Sequence, residues 1–63
     1  MNKETIKKIR LSQGLDQLEF ASKIGVSRTT VCNWETGKKP PRPSAIKRML
    51  EFCQKYNIQI NQD

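Results

Sequence analysis

The sequence predicts an all-α fold, a small bundle of short helices in which the second and third form a helix-turn-helix unit. Three observations lead there. Apolar residues recur at helical spacing rather than in alternation, helix-capping residues precede each apolar stretch, and glycines stand where the stretches stop. The chain has 63 residues and no internal repeat, so it is read as one domain spanning 1–63, with 57–63 as a short carboxyl-terminal tail.

The first helix starts at Asn2, whose side chain can cap it, and runs to about Gln13 with Ile6, Ile9 and Gln13 on one face. Gly14 can then adopt the left-handed conformation that ends a helix. The segment Leu15-Asp16-Gln17-Leu18-Glu19-Phe20 announces the next start: Asp16 caps, Glu19 completes a capping box three residues on, and Leu15 can staple against Phe20. This second helix lasts about eight residues, to Gly25. Ser27 caps a third, with Val26 and Val31 as its staple, running from about Arg28 to Thr36 and stopping at Gly37. The run Lys38-Lys39-Pro40-Pro41-Arg42-Pro43 excludes helix interior. Beyond it, Ser44 is the expected cap of a fourth helix, with Ile46, Met49, Leu50 and Cys53 as its buried stripe. The tail Asn57-Ile58-Gln59-Ile60-Asn61 alternates polar and apolar, which fits either a short strand or a frayed helix end.

Composition narrows the chemistry. Twelve lysines and arginines against six acidic residues give a net charge of +6, and polyanions are the natural partners of such a surface. The absence of histidine removes the commonest general base and metal ligand, and two isolated cysteines cannot complete a zinc site. No enzyme activity, cofactor or metal is therefore expected. No apolar run exceeds two residues, so neither a membrane span nor a secretory signal is expected, and reduced thiols in a cytoplasmic protein are.

The segment from Gln17 to Gly37 carries the function. Ala21 is small where two helices approach closely, Gly25 permits a sharp turn, and Val26, Val31 and Trp34 can pin the third helix to the second. With those residues inside, Arg28, Thr29, Cys32 and Asn33 share the opposite face, because they form two i, i+4 pairs. Trp34 is read as core rather than as a base-stacking platform.

In these residues the sequence resembles the phage-repressor and Cro family of helix-turn-helix regulators. The likeness rests on Arg10, Leu15-Asp16-Gln17, Phe20-Ala21, Ile24-Gly25-Val26-Ser27 and Trp34-Glu35-Thr36-Gly37, and covers roughly Ile6 to Leu50. It implies a lambda-repressor-like bundle of four to five helices, the fifth having little room here, with helix three as the recognition helix in the major groove. Arg28, Thr29 and Asn33 match positions that face base edges; arginine suits guanine, asparagine adenine, and the threonine methyl thymine. Gln17 matches a phosphate-gripping position, and Lys38, Lys39 and Arg42 lie in the segment that holds the DNA backbone. Arg10 and Glu35 match a partly buried ion pair with a structural role. Cys32 and Leu18 depart from the pattern and receive no role.

The expected function is sequence-specific binding of double-stranded DNA by a transcriptional repressor acting as a homodimer on a palindromic operator. Phe52, Tyr56, Ile58 and Ile60 either finish the core or form the dimer contact. A second reading is an antitoxin-type interaction module whose Leu18, Phe52 and Ile60 meet a protein partner such as a toxin. Binding of RNA is weaker, since few aromatics are left to stack on bases.

Overall fold

The computed structural model describes residues 1–60, in which four α-helices enclose one apolar core: α1 (Lys3–Ser12), α2 (Gln17–Ile24), α3 (Arg28–Thr36) and α4 (Pro43–Lys55). Local side-chain chemistry fixes three of the helix starts. The Asn2 side chain accepts from the Thr5 amide at 2.8 Å. Asp16 accepts from the Glu19 amide at 2.8 Å while Glu19 accepts from the Asp16 amide at 2.9 Å, the reciprocal pair of a capping box. Ser27 Oγ accepts from the Thr30 amide at 3.2 Å. Helices α2 and α3 both stop on left-handed glycines, Gly25 at φ 85° and Gly37 at φ 77°.

Helix α3 is the hub, packed against α1 on one side and α2 on the other, while α4 closes over α2. Ile6 and Ile9 of α1, Phe20 and Ile24 of α2, Val31 and Trp34 of α3, and Met49 of α4 are buried together. Trp34 is 96% removed from solvent, so its ring serves the core. Leu15 and Val26, the two expected staples, are half-buried against the same cluster.

The fourth helix corrects the sequence reading twice. Its N-cap is Arg42, not Ser44; Pro43 occupies the first turn and no side chain caps it. Proline supplies a helix-ready φ and has no N–H to satisfy, so the start needs no capping hydroxyl. Its buried residues are Ala45, Met49, Phe52 and Cys53, with Ile46 and Leu50 half-buried at the margin. The rotation brings the Phe52 ring edge-on to Phe20, with centroids 5.5 Å apart. A phenyl ring contributes more buried apolar surface than the branched chains it displaces to the edge.

The carboxyl-terminal segment is neither strand nor helix end over its described residues. Asn57 turns into the left-handed region at φ 56°, and the Ile58 amide donates to the Cys53 carbonyl at 2.8 Å, closing α4 with a Schellman turn. Ile58 and Ile60 then lie half-buried against the core. The last three positions of the 57–63 tail fall outside the described residues. None of the described helices is long and apolar enough to cross a membrane.

Candidate nucleic-acid interface

Helix α3 presents two chemically distinct sides. Val31 and Trp34 face inward, and Arg28 and Thr29 are exposed at its amino end with Cys32 and Asn33 half-buried along the same outward flank. The helix is therefore clamped from behind while its polar edge stays open. Thr36 Oγ1 donates to the Cys32 carbonyl at 2.9 Å, and the Asn33 carbonyl receives the amides of Lys38 and Lys39 at 2.9 and 3.2 Å. The two lysine amide bonds fold the basic loop back onto the end of α3. Lys38, Lys39 and Arg42 are all exposed on or just after it.

The polar anchor of this arrangement is Arg10. Its Nε and Nη2 donate to the two carboxylate oxygens of Glu35 at 2.7 and 2.9 Å, and Nη1 donates to the Leu15 carbonyl at 2.9 Å. The side chains of Arg10 and Glu35 retain only 11% and 6% of their exposure. One guanidinium thus joins α1, the loop before α2 and α3. Such a bidentate pair adds geometric definition as well as energy.

Gln17 departs from the simple picture. Its Nε2 donates to Glu35 Oε1 at 3.3 Å, so the residue expected to grip phosphate also serves as a third leg of the ion-pair cluster. An amide nitrogen carries two hydrogens, and the second has no acceptor among the described residues. Nothing in the local sequence signals this bond, because the two residues are 18 positions apart. Of the two unassigned residues, Leu18 is 62% exposed beside Gln17 and Arg28, and Cys32 sits half-buried on the outward side of α3. Phe52 belongs to the core and is unavailable as a dimer or partner contact; Tyr56, tilted against it at 4.7 Å, remains 37% exposed.

Burial tends to raise the Glu35 pKa, yet the hydrogen bonds from Arg10 and Gln17 and the charges of Arg10 and Lys7 overcome it, holding the carboxyl below the ordinary glutamate value. The same bond raises the Arg10 pKa against its own desolvation. A depressed carboxylate stabilises the fold fully above the unfolded glutamate pKa of about 4.3 and progressively less as pH falls through the folded value. Urea midpoints measured from neutral pH down to about pH 3 are therefore expected to fall below about pH 4.3. Glu35→Gln should flatten that acid limb; an identical acid limb in the variant would show that other carboxylates cause it.

Helices α2 and α3, joined by the turn at Gly25 and packed on each other, form a helix-turn-helix unit, and the comparison with known sequences agrees. A family described as helix-turn-helix matches residues 6–59, and the chain belongs to that family. It is also similar to the HTH-type transcriptional activator BcrR of Enterococcus faecalis, with 33% identity over 49 residues. That alignment takes in 78% of this chain and 24% of the relative, so the chain spans about a quarter of that protein's length. No solved structure matches the chain at comparable significance.

Proposed function

We propose that the protein is a sequence-specific transcription regulator of duplex DNA, with α3 lying in the major groove. Arg28, Thr29 and Asn33 read base edges, while Gln17, Lys38, Lys39 and Arg42 hold backbone phosphates. The observation that carries this reading is the orientation of α3: Val31 and Trp34 anchor it in the core while Arg28 and Thr29 stay exposed beside a basic loop that makes no ion pair among the described residues. Two copies would act on a palindrome, since one such helix spans only a few base pairs. Tyr56, Ile58 and Ile60 remain as dimer contacts once Phe52 is assigned to the core.

Regulation would follow from occupancy, with a repressor excluding polymerase from its operator. Activation is the second reading, favoured by the name of the relative from Enterococcus faecalis. Selection of bound sites from random duplexes tests the proposal directly. The expected product is an inverted repeat with half-site centres about 34 Å apart. Recovery of no enriched sequence would overturn specific recognition.

Salt provides an independent check on the backbone contacts. With roughly six phosphates neutralised per dimer, log affinity should fall against log salt with a slope of about −5. Lys39→Ala should weaken every duplex alike and make the slope shallower by about one unit per bound subunit. Salt-independent affinity would remove the phosphate contacts from the proposal.

A further inference from the structure

Arg48 of α4 reaches across to the turn between α2 and α3. Its Nη1 lies 3.4 Å from the carbonyl oxygens of both Ile24 and Gly25, at the carboxyl end of α2 where partial negative charge collects. A Cβ built on Gly25 would meet that nitrogen at 3.0 Å, so the guanidinium lies directly on the turn. These two long contacts occupy one nitrogen. The Nε and Nη2 donors of Arg48 have no acceptor among the described residues.

The same side chain lines an open hollow of about 370 Å³ between α3 and α4. Thr30 and Asn33 form its α3 wall, Lys39 and Arg42 its loop wall, and Ser44 stands at the first turn of α4. No carboxylate lines it, and Arg10–Glu35 is the one ion pair among the described residues. Three cations therefore share one hollow that no described carboxylate lines, the acidic residue nearest Arg48 along α4, Glu51, facing the separate pocket between α2 and α4. The uncapped amino end of α4 adds its positive dipole to them. Guanidinium donors and a serine hydroxyl around a cationic hollow suit a phosphate group.

We infer that this hollow seats one backbone phosphate of the bound duplex, and that Arg48 contacts it directly. The inference rests on the duplex-binding reading above and extends it to a residue that neither the sequence motif nor the recognition helix contains. A duplex backbone is favoured over a free anion because Asn33 belongs both to this wall and to the outward flank of α3. A phosphate held there lies at the flank of the helix that reads the bases. Since the guanidinium also rests on the Ile24 and Gly25 carbonyls, seating the phosphate fixes the turn, and with it the angle at which α3 enters the groove.

The test uses the full chain and the duplex enriched by selection, comparing the wild type with Arg48→Gln and Arg48→Lys. Arg48→Gln is expected to make the salt slope shallower by about 0.9 per bound subunit, and Arg48→Lys to retain the wild-type slope. A residue that only supported the turn would lower the thermal midpoint and leave the slope intact, so an unchanged slope in Arg48→Gln overturns the seat. Scanning the duplex with neutral methylphosphonates supplies the pairing: one position should weaken the wild type but not Arg48→Gln, while other positions weaken both. Absence of any such position also overturns it. Inorganic phosphate that saturates the Ser44 amide and displaces duplex beyond chloride of equal ionic strength would make this a free-anion site and overturn the backbone assignment. Failure of the wild type to bind any duplex would instead overturn the DNA-binding reading itself.

Discussion

Arg10→Ala is expected to lose about 3 to 5 kcal/mol of stability, because it strands the Glu35 carboxylate in a site that retains 6% of its exposure. Domains hold roughly 0.05–0.15 kcal/mol per residue, so a chain of 63 residues commands roughly 3 to 9 kcal/mol in total. The variant should therefore be largely unfolded near physiological temperature, and its DNA affinity should disappear with its fold. Urea unfolding followed by circular dichroism measures the loss. The double change Arg10→Met with Glu35→Leu should recover most of it, since removing both charges leaves no uncompensated carboxylate in the core. A thermal midpoint within about 5 °C of the parent for Arg10→Ala, less than about 1 kcal/mol for a domain of this size, would show that the cluster contributes little.

The second large effect concerns specificity rather than stability. Arg28 is exposed at the first position of α3, with no role in the core, so its truncation should leave the unfolding free energy within about 0.5 kcal/mol of the parent. On the preferred duplex Arg28→Ala should cost about 1 to 3 kcal/mol, a loss of roughly 5- to 150-fold. Repeating the site selection with the variant should relax preference at one position of each half-site and keep the others. The contrast with Lys39→Ala is diagnostic, because a phosphate contact weakens all sequences equally while a base contact changes their ranking. An unchanged preference in Arg28→Ala would place the reading face elsewhere on the molecule.

Local signals in this chain were unusually complete up to Gly37. Asn2, Asp16 with Glu19, and Ser27 cap α1, α2 and α3, and each acts within three residues of itself. Their effects are local, and so is their legibility. The fourth helix was harder, because Pro43 starts it without any capping hydrogen bond and two apolar flanks of α4 offered comparable stripes. Packing against Phe20 chose the flank that carries Phe52, a contact 32 positions away in the chain and invisible to periodicity.

The candidate interface divides in the same way. The exposure of Arg28 and Thr29 follows from helical spacing once Val31 and Trp34 are placed inside, so sequence alone could mark them. Gln17 bonding to Glu35 and Arg48 resting on the turn could not be found that way, since both depend on where separate helices come together.

The amino-acid sequence by itself determined the three front helices, their stops at Gly25 and Gly37, and which side of α3 turns outward, because capping, left-handed glycines and 3.6-residue periodicity act over one or two turns. Only the tertiary structure decided which flank of α4 is buried, how the 57–60 segment lies against the core, and which cations meet around the hollow beside α3. Those outcomes depend on the relative placement of whole helices, set by how bulky side chains such as Phe20 and Phe52 fill shared space, and no short window of sequence contains both partners.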